Sequence, residues 1–115
     1  MATIATPECV LDARALLGEC PRWDAREQCL YWVDIDGQRL HRFDPQSGTD
    51  RHWDIGEEIG CIARCDGGVV AGLRSGLARI TLPGGEITPL ASPDYDRTTT
   101  RFNDGRCDPR GRFWA

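Results

Sequence analysis

Two short stretches of this sequence carry side chains that could do chemistry. Gly18-Glu19-Cys20-Pro21 sets a lone carboxylate between a permissive glycine and a residue that the following proline holds extended. Carboxylate oxygens suit hard divalent cations, so Glu19 is a candidate metal ligand, with an exposed loop glutamate as the plainer reading. The second stretch is Arg101-Phe102-Asn103-Asp104-Gly105. An amide oxygen and a carboxylate beside a glycine turn can coordinate a metal or hold sugar hydroxyls. The Arg101 guanidinium can fork onto a carbonyl or carboxylate. The same residues also read as a solvated Asn-Asp-Gly turn, to which Thr98, Thr99 and Thr100 add only a polar loop.

Other chemistries lack their residues. There is no Gly-x-Ser-x-Gly, no phosphate-cradling glycine loop and no nucleophile–histidine pair in the sequence. The six cysteines (Cys9, Cys20, Cys29, Cys61, Cys65 and Cys107) form no CxxC pair, and His41 and His52 stand apart from them, which argues against a zinc site. Cys29 and Cys61 read as small buried hydrophobes, and all six are expected as reduced thiols. Asp34-Ile35-Asp36-Gly37 is like the start of a calcium loop, but Pro45 occupies the place of the closing glutamate, so a hairpin turn is expected. Whatever chemistry the sequence supports depends on a metal.

Composition narrows the class. The chain has 115 residues, 28% charged and 40% hydrophobic, with a formal charge of −4. All 14 basic residues are arginine and they are scattered, which argues against a nucleic-acid surface. No apolar run is long enough to span a bilayer, and the acidic Glu8 and Asp12 do not suit a signal peptide. The expectation is a cytoplasmic protein without nucleic-acid or membrane partners.

The elements that must position Glu19, Arg101 and Asn103 read as strands throughout. Cys29 to Ile35 is aromatic and β-branched, and Arg39 to Phe43 alternates polar and apolar. Between them, Asp36-Gly37 is expected to supply two positive-φ positions for a tight hairpin. Strands are also expected over 49–55, 59–63, 69–73, 77–82 and 86–90, and no helical period persists. Asp24, Asp66 and Asp108 are spaced by 42 residues in both intervals, each followed by a turn and an apolar strand. That period, with several short strands per unit, is the signature of β-propeller blades. At 42 residues per blade the chain holds about 2.7 blades, so the ring is incomplete.

With these residues in place, the sequence resembles the SMP-30/gluconolactonase/LRE family, which includes regucalcin. The likeness lies in Leu17-Gly18-Glu19-Cys20-Pro21-Arg22-Trp23-Asp24, Leu30-Tyr31-Trp32-Val33-Asp34-Ile35, Leu40-His41-Arg42-Phe43-Asp44-Pro45 and the run from Arg101 to Ala115. It implies an all-β fold, the N-terminal blades of a six-bladed β-propeller, with residues 1–115 forming part of one propeller domain. It also implies a divalent cation in the central channel (Ca, Zn, Mn, Mg or Fe) and hydrolysis of a sugar-acid lactone. By position, Glu19 matches the family's first metal ligand, and Arg101 and Asn103 match residues that contact substrate. The sequence departs from the usual pattern at Cys20, commonly Gly, and Arg106, commonly Lys. The later Asn ligand and the acid/base Asp are expected beyond Ala115, so no catalytic residue falls within the chain. The chain alone is expected to bind metal weakly and turn over little lactone. The alternatives are a calcium-binding regulatory propeller without turnover and a non-functional truncation.

Overall fold

The computed structural model describes residues 2–115. Ten strands follow one another without a helix among the described residues: β1 (Gly18–Asp24), β2 (Cys29–Asp34), β3 (Arg39–Asp44), β4 (Thr49–Asp54), β5 (Ile59–Cys65), β6 (Gly68–Leu73), β7 (Gly76–Thr81), β8 (Glu86–Ala91), β9 (Arg106–Cys107) and β10 (Phe113–Trp114). They make two four-stranded sheets, ordered β1-β2-β3-β4 and β5-β6-β7-β8, and a separate β9–β10 hairpin. All pairings are antiparallel between chain neighbours, as short connections require. Asp24, Asp66 and Asp108 each stand where the first hairpin of a sheet turns, so the 42-residue spacing is the spacing of blades.

At two of the three turns the aspartate side chain is fixed by local hydrogen bonding. Asp24 accepts the backbone N–H groups of Arg26 and Glu27 at 2.9 and 3.0 Å, and Asp108 those of Arg110 and Arg112, both at 2.9 Å. The turn after β2 departs from expectation. Neither Asp36 nor Gly37 has positive φ; Gln38 does, at 58°. Gly37 is needed for space instead, because a Cβ there would run into the Asp34 carboxylate. β1 was not among the expected strands. Its glycine, proline and charged residues break the alternation, but it is an edge strand, where proline is tolerated.

The core lies between the two sheets. From the first come Tyr31, Val33, Ile35 and Leu40, and from the second Ile59, Ile62, Val69 and Ile80, all essentially unexposed. Burying one such side chain is worth about 1.5–3 kcal/mol. A polar network reinforces the seam: Arg64 pairs with Asp24 at 2.9 Å and Glu27 at 2.8 Å while its guanidinium lies 4.3 Å from the Tyr31 ring centre. Partly exposed ion pairs contribute at most about 1 kcal/mol each, so packing dominates. On the other face of the first sheet, Asp50 accepts from Trp32 Nε1 at 3.1 Å and lies 2.6 Å from His41 Nδ1. The His41 and Trp32 rings stack at 3.8 Å, so His41 is held by structure. The six cysteines are all free, with Cys20, Cys29 and Cys61 buried. No helix of the described residues is long and apolar enough to cross a membrane.

Candidate functional site

Glu19 sits near the start of β1, opposite Val33 of β2. The register shifts between Glu19 and Arg22, a bulge formed by Cys20 and Pro21, and bulges of this kind re-aim the neighbouring side chain. Cys20 carries the bend with φ of 54°, a left-handed conformation that glycine adopts more cheaply. Its thiol compensates. The Ile62 N–H donates to Cys20 Sγ at 3.3 Å, and the thiol faces the Ile62 carbonyl at 3.7 Å. β5 is the edge of its sheet, so these backbone groups would otherwise lack partners in the seam. Glu19 itself is exposed.

Arg101 and Asn103 lie in the loop, residues 92–105, that joins β8 to β9. Asp96 organises the loop's middle: Thr98 donates to its carboxylate through N–H at 2.9 Å and hydroxyl at 2.6 Å, and Thr100 N–H donates to its carbonyl at 2.9 Å. The three threonines therefore help build a turn. Phe102 then docks on the second sheet. A Cβ on Gly60 would strike the Phe102 carbonyl and stand 2.8 Å from that of Asn103, and a Cβ on Gly72 would stand 2.9 Å from the Phe102 side chain. Two glycines thus clear the seat for this loop. The Arg101 guanidinium folds back, donating to the Phe102 carbonyl at 2.9 Å and to Asn103 Oδ1 at 3.3 Å. Both engage Nη1, which leaves the other guanidinium nitrogens for a ligand.

Arg22 joins the two parts. From just beyond the bulge in β1 it donates to the Gly105 carbonyl at 2.7 Å and lies 3.7 Å from Asp104. Cys20, next to Glu19, holds Ile62 in the middle of β5, and Phe102 and Asn103 rest on Gly60 near the start of the same strand. The segments that bear Glu19 and Asn103 thus both rest on one strand, through Cys20 and through Phe102 and Asn103. Cys20, Arg22, Gly60 and Gly72, which arrange them, carried no signal as site residues, except that Cys20 stands where the family commonly has glycine.

The electrostatics limit the chemistry. Burial pushes the Cys61 thiol up to about 11, with the field of Cys20 adding to it, and burial raises the Cys20 thiol as well. Both stay protonated near neutral pH and serve as packing groups rather than nucleophiles. Among the described residues, no three His, Cys, Asp or Glu side chains come together as a metal site. A calcium ion takes 6–8 oxygens. The Glu19 and Asn103 side chains by themselves offer fewer oxygens than that.

Comparison with known proteins bears on the family and the fold. The sequence pattern described as SMP-30/Gluconolactonase/LRE-like region matches residues 17–115. The chain is 46% identical over 111 residues to 6-deoxy-6-sulfogluconolactonase of Pseudomonas putida, covering 96% of this chain and 38% of that protein. It is 37% identical over 109 residues to regucalcin of Xenopus laevis, covering 94% and 36%. In three dimensions it resembles the crystal structure of a calcium-binding protein, regucalcin, from Agrobacterium tumefaciens, with a TM-score of 0.80 and 28% identity over 87% of this chain and 34% of that one. The chain therefore spans just over a third of the length of these relatives.

Proposed function

The chain belongs to the SMP-30/gluconolactonase/LRE family, and on that premise we propose that it is the segment of a sugar-lactone hydrolase that supplies one metal ligand and the first substrate contacts. The observation that carries this reading is the Arg22 bridge, which ties the bulge beneath Glu19 to the loop bearing Arg101 and Asn103. Its relatives support the substrate class, since one is a 6-deoxy-6-sulfogluconolactonase.

Lactone hydrolysis adds water to the ring carbonyl, breaks the bond from that carbon to the ring oxygen and leaves a hydroxy acid, with one proton passing to the departing oxygen. In this scheme the free Arg101 nitrogens and the Asn103 amide hold the sugar's oxygens and orient the carbonyl. Glu19 would be the residue of this chain that holds a divalent cation, which when bound would polarise the lactone carbonyl. The cation's other ligands and the carboxylate that moves the proton are assigned to blades beyond these residues, as is closure of the six-bladed ring.

The test is acid release from glucono-, sulfoglucono- and arabinonolactone by the full-length protein that carries this chain, with and without added divalent metal. Metal-dependent hydrolysis that falls at least tenfold in Glu19→Gln is the expected result. Hydrolysis indifferent to metal and to Glu19 would refute the assignment. Calcium binding with no lactone loss in any metal would favour a binding role, in keeping with the calcium-binding regucalcin that this fold resembles.

A further inference from the structure

The loop that carries Arg101 and Asn103 is held at a second place by a residue that sequence reading did not single out. Arg74 lies in the turn between β6 and β7. Its Nε and Nη2 donate to the two carboxylate oxygens of Glu58 at 2.9 and 3.0 Å, the bidentate geometry that fixes a guanidinium in plane. The remaining Nη1 donates to the Arg97 carbonyl, inside the loop, at 2.6 Å. The bond is returned, for the Tyr95 hydroxyl donates to Arg74's own carbonyl at 2.6 Å. The turn beneath is itself pinned, with Ser75 N–H and hydroxyl donating to the Glu57 carboxylate at 2.6 and 3.0 Å. Arg74, through its hydrogen bonds to Glu58, holds that carboxyl below the usual range, so the pair stays charged near neutral pH.

Tyr95 connects this clamp to the other anchor. Its ring meets Phe102 edge-on, with centres 5.9 Å apart, and Phe102 is the side chain seated over Gly72. The backbone of Arg101 is therefore bounded four residues upstream by the Arg97 carbonyl on Arg74 and one residue downstream by Phe102 on Gly60 and Gly72. The turn built on Asp96 fills the interval and leaves little slack. A loop whose residues are otherwise largely exposed has no packing demand of that kind. Fixing a guanidinium in place is what a substrate contact requires.

We propose that Arg74 and Tyr95 are positioning residues, which hold the 92–105 loop so that Arg101 and Asn103 meet the substrate in a fixed orientation. The inference rests on the substrate-contact reading of Arg101 and Asn103 given above. Neither residue touches the ligand itself, and neither adjoins Glu19.

The test uses Tyr95→Phe, which removes one hydroxyl, and Arg74→Met, which removes the fork, in the full-length protein. Two readouts are taken: lactone kinetics and the rate of tryptic cleavage after Arg97 and Arg101. Both variants are expected to speed that cleavage and to raise KM with kcat within about twofold: roughly three- to tenfold for Tyr95→Phe, which loses one neutral hydrogen bond, and roughly tenfold or more for Arg74→Met, which loses charge-assisted ones. Unchanged cleavage overturns the clamp. Faster cleavage with unchanged KM overturns the link from clamp to substrate. Should Arg74→Met fail to fold, Tyr95→Phe alone decides by the same criteria. A wild-type protein that hydrolyses no lactone overturns the hydrolase reading and with it the substrate part of this proposal; the cleavage rates still decide the clamp independently.

Discussion

Cys20 permits a sharp test of how the bulge beneath Glu19 is held. Its φ of 54° costs an L-residue roughly 1–2 kcal/mol. Against that, the side chain is 4% exposed and its thiol faces both polar backbone groups of Ile62. Cys20→Ala keeps the backbone strain and removes the sulfur. Losing about one methylene's worth of burial costs about 0.8 kcal/mol, and leaving an Ile62 N–H without a partner costs at least about 1 kcal/mol, so a loss near 2 kcal/mol is expected. Cys20→Gly loses the same contacts and a further carbon, and it gains unfolded-state entropy worth about 0.4–1 kcal/mol. It also sheds the strain, and the space it opens admits water to Ile62. The net expectation is that glycine is as stable as alanine or more so, by up to about 1 kcal/mol, which inverts the usual order of the two. Cys20→Ser should stay within about 1 kcal/mol of the parent, because a hydroxyl can satisfy the same two groups. Urea unfolding of the parent and three variants, compared at constant slope, gives the order directly. If alanine proves clearly more stable than glycine, strain at this position is not what the side chain offsets, and the argument fails.

Three further expectations follow from neighbouring residues. Asp34, 6% exposed, accepts the N–H groups of Leu16, Leu17 and Gly37 at 2.9–3.0 Å; burial alone would raise its carboxyl, but these bonds outweigh it and lower it. Its contribution is therefore present above about pH 4 and lost as the pH falls through the lowered folded value; Asp34→Asn should cost roughly 1–3 kcal/mol at pH 7 and flatten the acid limb of a thermal-melting series. Gly60→Ala would press a methyl into the Phe102 and Asn103 carbonyls, so a loss of about 1–3 kcal/mol is expected together with faster hydrogen exchange across 101–105, and an unperturbed loop would count against the seat described here. With a thiol reagent, Cys9 and Cys107 should react promptly, Cys65 more slowly, and the buried Cys20, Cys29 and Cys61 only on unfolding; early reaction at Cys61 would contradict the packing.

The strands were legible because their cause is local. Period-two alternation over Arg39 to Phe43 and the aromatic run from Cys29 need only the chain on either side to become half-buried strands. An aspartate that caps a turn through N–H groups two to four residues on serves the first and third units alike, at Asp24 and Asp108. By itself, then, the sequence determined an all-β chain, a 42-residue blade and, through family resemblance, which carboxylate and which loop deserved testing. β1 escaped because an edge strand tolerates the glycine, proline and charges that elsewhere mark a loop. The turn at Gly37 was misread because its glycine answers to the Asp34 carboxylate and not to a backbone angle. The gathering of the site was not legible at all. Arg22 reaches a carbonyl 83 residues away, Cys20 completes a strand edge 42 residues away, and Arg74 holds a loop 23 residues ahead. Such contacts join backbone groups, which every residue offers alike, so no side-chain pattern announces them. Only the stacking of one sheet on the next decides which carbonyl lies within reach.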